Sequence, residues 1–585
     1  MTQPAPGPAA AAAAELGRLE DEYFATVHQI DPLGATQLGV TGFDDLLPDP
    51  SRAGAADGAR RIGAIERVLA GIDPGLLDEA GRTSHAVLAH LAGAARSDLE
   101  HGLWEANASA GGYVSPQAMV FQAVPTALLR DADSVDGYLR RLRGLAGYFD
   151  AVTGRYRQAA ADGKQSAEVG VRQAISQLEG HLAKDIAADT LLTALLRAEQ
   201  AEAAQAEAGR IVTDEVRPAM RRLLDCLRDD LLPAARPDEQ VGIRFVPGGA
   251  EGYAAAVRRH TTTALSPEEI HQIGLDVLDG LREEWAQLGG RVLGTSDIPS
   301  ILARLREDPS LRFTDSAQIV RTVQDALRRA EESRDDWFPA YAIPDCVIEE
   351  IDPVEEGNAP LAYYRPPAAG GARPGTHCVL TTRPGDRFAY EYEALAFHES
   401  TPGHHLQIAS AQTLDGLPAY RRFLDAEVSG YVEGWGLYCE RLADEMGLYT
   451  SDLQRLGMLS FDAWRACRLV VDTGMHHYGW PRSRAIEFMW ANTATTRANV
   501  TSEVDRYIGW PGQALAYMIG RREIRRLRDR AERDLGARFD IRAFHGAVLG
   551  SGAVPLGVLD QLVARWTAQA QAQPQADQAQ RREQP

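Results

Sequence analysis

Two stretches of the sequence carry side chains that could bind a metal ion. The first is HESTPGHH at 398–405, and the second is EGWGLYCE at 433–440. Neutral imidazoles together with one carboxylate are the ligands of a catalytic zinc ion, which keeps a further position open for water or substrate. The two stretches therefore predict a metallohydrolase site.

The spacing of the histidines differs from the common HExxH motif. In that motif the second histidine lies four residues after the first, on the same face of a helix. Here Pro402 occupies that position. Because proline cannot donate a hydrogen bond to the carbonyl of His398, we expect a helix through His398 to kink or bulge at Pro402. Gly403 then permits an unusual backbone conformation.

His404 and His405 compete for the role of second metal ligand. On an unbroken helix His405 would return to the face of His398, but about 10.5 Å further along the axis, a long span for two imidazoles on one ion. His404 lies off that face unless the Pro-Gly insertion forms a wide turn. We favour His404 as the ligand and keep His405 as its rival, or as a group that contacts the substrate.

The third ligand is expected from the helix that carries Glu433 and Glu440. The two glutamates are seven residues apart, so they lie on the same helical face. The aromatic residues around them predict that this helix is buried, and buried carboxylates need partners. One glutamate should complete the metal site.

Further side chains are candidates for the chemistry itself. Glu399 is expected to act as the general base that takes a proton from water. The hydroxyl of Tyr517 could stabilise the oxyanion, although a core tyrosine is an equally good interpretation. Asp472 and His476 are four residues apart on one helical face, so they could form a His-carboxylate pair that supports the site or donates to the transition state.

Two arginines are candidates for substrate binding. Arg506 could hold a substrate carboxylate with two parallel hydrogen bonds, and Arg468 is a weaker candidate for the same role. An arginine in a surface ion pair is the structural alternative for both.

Composition limits the partners and the location of the protein. The chain has 61 Lys and Arg against 82 Asp and Glu, a formal charge of −21, which argues against nucleic acid and anionic membranes as partners. The five cysteines are scattered and show no CxxC pairing, which suits a reducing compartment. No apolar run is long enough for a membrane helix. The first fifteen residues are small and rich in Ala and Pro, without the basic and apolar segments of a secretory signal, so we predict a cytoplasmic protein.

The 585 residues allow several domain-sized units. We predict a disordered leader at 1–15, a helical N-terminal lobe at 16–240, a catalytic metallohydrolase region at 241–567 and a disordered tail at 568–585. Helical periodicity dominates, so the fold class is mainly α, with two lobes around a central cleft. Short apolar runs between 340 and 384 predict a small antiparallel β unit just before the helix of His398.

Several blocks of the sequence resemble a large bacterial family called domain of unknown function 885. The blocks are HESTPGHHLQ, EGWGLYCE, RLVVDTGMHHYGW, RYIGWPGQALAYMIG and FHGAVLGSGAVPL, and the resemblance extends from about Leu16 to Leu559. It implies a helical, cleft-forming fold like that of gluzincin-type zinc metallopeptidases. It also implies that Glu433 is the third ligand, with Gly434 and Gly436 allowing helices to approach closely.

The function predicted from these features is zinc-dependent hydrolysis of amide bonds in short peptides. An amide hydrolase that acts on a non-peptide metabolite fits the same residues. A helical binding protein that has lost its metal is the alternative from another class. Manganese, cobalt or iron could replace zinc, since imidazole and carboxylate bind all of them. The sequence does not reveal the oligomeric state.

Overall fold

The fold is mainly α, as the sequence predicts. The computed structural model describes residues 7–111, 114–198, 202–351, 360–369, 371, 373–424 and 427–572. The helices of the first 240 residues are α1 Pro8–Ile30, α2 Pro32–Leu38, α3 Arg52–Leu69, α4 Glu79–His101, α5 Pro116–Ala123, α6 Ala132–Ala161, α7 Glu168–Ala183, α8 Thr193–Arg197, α9 Glu202–Ile211 and α10 Arg217–Asp225.

The remaining helices carry the candidate site. They are α11 Gly249–Thr261, α12 Pro267–Gly280, α13 Arg282–Leu293, α14 Ile298–Glu307, α15 Ser316–Trp337, α16 Tyr392–Glu399, α17 His404–Gln412, α18 Ala419–Phe423, α19 Ser429–Glu445, α20 Asp452–Thr473, α21 Arg482–Asn492, α22 Arg497–Gly509, α23 Ala516–Leu535, α24 Ile541–Leu549 and α25 Leu556–Ala572. A π-helical turn at Gly474–Tyr478 follows α20 directly.

A three-stranded sheet precedes α16. Its strands are β1 Val347–Glu350, β2 Ala362–Arg365 and β3 Thr376–Val379, in the order β1-β3-β2. β2 pairs with β3 in the antiparallel sense, but β1 pairs with β3 in parallel. The predicted β unit is therefore present but mixed rather than antiparallel. A parallel pair needs a long connection, and the chain between β1 and β3 includes β2.

Three large hydrophobic cores lie in the described residues. One core belongs to α5–α10. A second joins α13–α15, the sheet and α16 to α20–α22. The third combines α1, α3 and α4 with α17–α19 and α23–α25. The helices that carry the predicted ligands, α16, α17 and α19, thus lie where the second and third cores meet.

These cores divide the chain differently from the predicted boundary at 240. The first helices bury their apolar faces against the C-terminal half instead of forming part of a separate N-terminal lobe. Tyr23 of α1 packs edge-on against Tyr420 with ring centroids 6.0 Å apart. The Tyr420 hydroxyl donates to the carbonyl of Ser84 in α4 at 2.8 Å. The predicted central cleft remains a prediction.

The predicted disordered ends need correction where the structure describes them. Residues 8–15 are the first turns of α1, because alanine is the best helix former and Pro8 occupies the first turn, where proline is tolerated. Residues 568–572 continue α25. Residues 1–6 and 573–585 lie outside the described residues. No helix in the described part of the chain has the length and apolar character needed to cross a membrane.

Candidate metal centre

The chain leaves helical geometry between the two histidines of the predicted site, as the proline predicts. α16 ends at Glu399, and α17 begins at His404. Gly403 is required in this turn, since a Cβ atom there would lie 1.9 Å from the carbonyl oxygen of His398. The wide turn therefore depends on glycine as well as on Pro402.

This turn brings the imidazole of His404 close to the side chains of His398 and Glu433. The Nε2 atom of His398 lies 3.6 Å from Oε2 of Glu433, and Nε2 of His404 lies 3.5 Å from the same oxygen. The three potential ligand atoms all lie within 4.8 Å of one another. Among the described residues, this is the one group of at least three His, Cys, Asp or Glu side chains that could hold a metal ion.

The spacing of these atoms fits a tetrahedral zinc ion. Ligand atoms about 2.0–2.1 Å from zinc at tetrahedral angles are about 3.3 Å apart. The observed separations of 3.5 and 3.6 Å are close to that value and too long for good hydrogen bonds. Two imidazoles and one carboxylate also match the three protein ligands of catalytic zinc sites. The residues present therefore fit the metal that the sequence predicts.

Two glycines let α19 approach its neighbours. A Cβ atom at position 436 would lie 2.8 Å from Cε1 of His398, and one at position 434 would lie 2.5 Å from Cα of Gly520 in α23. Any larger side chain at these two positions would push α19 away from the histidines or from α23. The structure confirms the close approach that the resemblance implies.

Glu440 fixes the orientation of His398. The Nδ1 atom of His398 donates to Oε1 of Glu440 at 2.9 Å, so Nε2 is the nitrogen left to bind a metal. Nη2 of Arg465 lies 3.3 Å from the same Glu440 oxygen. Glu440 is fully buried and Arg465 nearly so. A carboxylate behind a metal-binding histidine also strengthens its basicity.

We expect the Glu440→Gln variant to bind zinc about 10–100-fold more weakly, because it loses the negative charge of the carboxylate that accepts the hydrogen bond from Nδ1 of His398. Competition with a chromophoric chelator measures the dissociation constant. The Glu445→Gln variant is the matched control, since Glu445 lies in the same helix and pairs with Arg528 on the partly exposed side. Equal zinc affinities for Glu440→Gln and the wild type would contradict a role for Glu440 at the metal.

The charges of the site shift the pKa values of its ligands in the metal-free protein. Burial alone would lower the pKa of His398, but the carboxylates of Glu433 and Glu440 raise it to about 9. Burial alone would raise the pKa of Glu433, but its contacts with His398 and His404 hold that pKa well below its usual range. The metal-free site therefore holds an imidazolium and a carboxylate at neutral pH.

Zinc affinity should consequently rise with pH. Zinc binds neutral imidazole, so at pH values below about 9 the ion must displace the proton of His398. The expected gain in affinity is about tenfold per pH unit between pH 7 and pH 8.5, with release of about one proton. Chelator competition across this range, and calorimetry in two buffers of different ionisation enthalpy, measure both quantities. A dissociation constant independent of pH would contradict the imidazolium.

Glu399 lies next to the ligands without being one of them. It is nearly buried, at 9% exposure. Burial raises its pKa, against the opposing effect of His398 and His404. A carboxylate with a raised pKa beside a metal site suits a general base.

His405 points away from the other two histidines. Its Nε2 donates to the carbonyl of Pro344 at 2.9 Å, and its Nδ1 accepts from the hydroxyl of Tyr364 at 3.0 Å. Burial lowers its pKa to about 4, so the ring is neutral. Both ring nitrogens are used in holding the segment before β1 and strand β2 against α17. The structure favours His404 over His405 as the ligand, and a contact between His405 and the substrate stays a prediction.

The predicted role of His476 is not supported. Its Nδ1 accepts from the amide of Ile243 at 3.0 Å, and its Nε2 donates to the carbonyl of Tyr507 at 2.9 Å. Asp472 instead accepts from the hydroxyl of Tyr253 at 2.7 Å. The predicted His-carboxylate pair is absent because both ring nitrogens of His476 are bonded to backbone groups and Asp472 is bonded to Tyr253 and to the amide of Gly512.

Tyr517 lies against His398, and the two arginines lie near Tyr517. The ring of Tyr517 stacks on that of His398 with centroids 6.2 Å apart. The guanidinium carbon of Arg468 lies 4.2 Å from the centroid of the Tyr517 ring. Arg506 pairs with Glu503, which Arg468 also contacts. Tyr517, the predicted oxyanion donor, is therefore a neighbour of the predicted ligand His398. Arg468 packs on the ring of Tyr517, and Glu503 links Arg468 to Arg506.

Comparison with known proteins identifies the family. The model of the family described as "Bacterial protein of unknown function (DUF885)" matches residues 32–563. The chain belongs to the DUF885 family. No curated protein matches this sequence.

Two solved structures share the fold of this DUF885 protein. One is the crystal structure of a "putative lipoprotein" from Colwellia psychrerythraea, with a TM-score of 0.87 and 24% identity, covering 96% of this chain and 100% of that one. The other is a "putative lipoprotein of unknown function" from Shewanella oneidensis, with a TM-score of 0.71 and 17% identity, covering 94% and 99%. At these identities the likeness establishes the fold alone.

Two sequence-based predictions for this DUF885 protein are corrected by these findings. The predicted cytoplasmic location conflicts with the descriptions of the two structural relatives, each of which is called a "putative lipoprotein". The label of metallopeptidase or protease conflicts with a family of unknown function and with relatives that are not described as proteases. The composition of the first fifteen residues, on which the predicted location rests, reports a compartment only indirectly.

Sequence reasoning missed two side chains of this site. Arg465 and Glu503 each hold charged groups near the metal ligands, yet neither stands in a recognisable motif. The one available signal is that both lie in predicted helices with apolar neighbours, since charged residues on a buried helical face need partners.

Proposed function

We propose that this protein is a metal-dependent hydrolase, with zinc as the preferred ion, that cleaves an amide bond in a small substrate. The observation that carries the proposal is the convergence of His398, His404 and Glu433, whose potential ligand atoms all lie within 4.8 Å of one another. The sequence HESTPGHH with a glutamate in the next long helix is also similar to the zinc-binding arrangement of gluzincin enzymes.

The three ligands would hold the ion, and Glu440 would keep Nε2 of His398 directed towards it. A divalent ion bound there supplies Lewis acidity, which polarises a carbonyl group and acidifies a water molecule. Glu433 has an 18% exposed side chain, so the site reaches solvent and a substrate can approach it.

Glu399 performs the proton transfers. Its carboxylate follows ligand His398 in the sequence and is nearly buried. It accepts a proton from the attacking water and then delivers that proton to the departing nitrogen of the amide. The raised pKa of Glu399 helps the second transfer, because a weaker acid holds the proton until the nitrogen can take it.

Tyr517 donates to the oxyanion that develops on the substrate carbonyl. Burial raises its pKa, so the phenol keeps its proton at neutral pH and can donate it in a hydrogen bond. The ring stacks on that of His398, which places the side chain beside the metal ligands.

Metal content and hydrolysis test the proposal together. Protein purified without chelators is expected to contain about one zinc per chain by plasma mass spectrometry, and the His398→Ala variant close to none. The zinc-loaded protein is then assayed against a set of small amides before and after removal of the metal. Absence of zinc from the wild type after zinc is offered would overturn the proposal, as would equal hydrolysis with and without metal.

A further inference from the structure

Two arginines share one glutamate beside the candidate metal centre. Nη2 of Arg468 donates to Oε2 of Glu503 at 2.9 Å, and Nη2 of Arg506 donates to the same oxygen at 3.1 Å. Nε of Arg506 adds a contact of 3.2 Å to the other oxygen of Glu503. The hydroxyl of Tyr507 donates to Glu503 at 2.6 Å as well. These four side chains from α20 and α22 are called the arginine cluster below.

The arginine cluster carries one positive charge more than its glutamate balances. Arg468 is 5% exposed, and its buried Nη1 atom has no hydrogen-bond partner. Its Nε donates to the neutral hydroxyl of Tyr507 at 2.8 Å and not to a second carboxylate. A buried guanidinium without a full complement of acceptors is costly, so the excess charge of the cluster favours the binding of a further anion.

The cluster adjoins the metal centre through one residue. The Arg468 guanidinium lies over the ring of Tyr517, which stacks on the ring of the metal ligand His398. Arg506 is the member that a ligand can reach, because 31% of its side chain is exposed. Its Nη1 also donates to the side chain of Gln513 at 2.9 Å, which fixes the guanidinium in place. Tyr517 therefore lies between the candidate metal centre and the arginine cluster.

We infer that the arginine cluster binds a carboxylate of the substrate, so that the substrates are amides that carry a free carboxylate close to the bond that is cleaved. This inference rests on the proposed function. Arg506 contacts the substrate carboxylate through Nη1 and Nη2, each of which carries a second N–H group beyond its bond to Gln513 or Glu503. Arg468 is a positioning residue, which holds Glu503 and Tyr507 and shares that single carboxylate with Arg506.

Two matched inhibitors test the inference without requiring turnover. Both carry a hydroxamate to bind the metal, and they differ only in a carboxylate against a carboxamide at the other end. Calorimetry with zinc-loaded protein is expected to show binding on the order of 10–100-fold tighter for the carboxylate. In Arg506→Gln this preference should disappear while the affinity for the carboxamide stays unchanged. Arg506→Lys, which keeps the charge and loses the paired donors, should retain part of the preference.

Arg497→Gln is the matched control for these variants. Arg497 lies in the same helix, α22, and pairs with the exposed Glu487. It should keep the full preference for the carboxylate. Equal affinity of the two inhibitors for the wild type would overturn the carboxylate inference and leave the proposed function standing. Failure of both inhibitors to bind zinc-loaded protein would overturn the proposed function and the inference with it.

Discussion

The Glu399→Gln variant is expected to keep its zinc and to lose about 10²–10⁴-fold in hydrolytic rate, because the carboxamide side chain of glutamine cannot take a proton from water. Glutamine has nearly the same shape as glutamate, and Glu399 is not one of the three residues whose ligand atoms converge. The metal content should therefore stay at about one zinc per chain. Initial rates on the best amide substrate, measured with zinc content on the same samples, separate loss of the base from loss of the metal.

The pH dependence gives a second readout for this variant. Glu399 must be ionised to accept a proton, so the wild-type rate should fall as pH drops through its raised pKa. That acid limb should be missing from the residual activity of Glu399→Gln. A pH profile of kcat/KM for both proteins makes the comparison.

Glu391 offers a matched control at the other end of α16. Burial raises its pKa to about 8, so the carboxyl group is mainly protonated at neutral pH and glutamine replaces it without loss of charge. We expect the Glu391→Gln variant to retain the wild-type rate and zinc content. Wild-type hydrolysis by zinc-loaded Glu399→Gln would instead show that another group removes the proton.

Local chemistry explains why the core of the site could be predicted from the sequence. Histidine, glutamate, proline and glycine each impose a constraint within a few residues, so HESTPGHH predicts both the ligands and the break between α16 and α17. Helical periodicity predicts the mainly α fold for the same reason, since an amphipathic face repeats within one segment. These constraints do not depend on the rest of the chain.

Features set by distant contacts were predicted less well. The sense of the β1–β3 pair depends on the path of the intervening chain and not on the strand sequences. Asp472 and His476 have the spacing of a helical pair, but each is bonded instead to groups that are distant in the sequence, Asp472 to Tyr253 and His476 to the backbone of Ile243 and Tyr507. Arg465 contacts Glu440 from another helix, and no pattern in the sequence around either residue predicts this contact. The faces of α1, α3 and α4 likewise give no sign of the partner that they pack against.

Which of the adjacent His404 and His405 is the metal ligand is likewise difficult to predict from the sequence alone. His404 and His405 have the same chemistry, and only the backbone after Glu399 decides which ring meets Glu433. The break places Nε2 of His404 at 3.5 Å from Glu433 and turns His405 towards Pro344 and Tyr364. A pair of alanine variants at these positions therefore tests the backbone path itself.

His404→Ala should lose its zinc, whereas His405→Ala should keep about one zinc per chain and lose stability. Removing one of three protein ligands costs more than the 10–100-fold typical of a supporting residue. His405 is 1% exposed and makes two hydrogen bonds, so its removal should lower the free energy of unfolding by about 1–3 kcal/mol. Zinc content and urea unfolding of the metal-free proteins measure the two effects separately. If His404→Ala retained zinc and His405→Ala lost it, His405 would be the ligand. The first turn of α17 would then present His405, and not His404, to the metal.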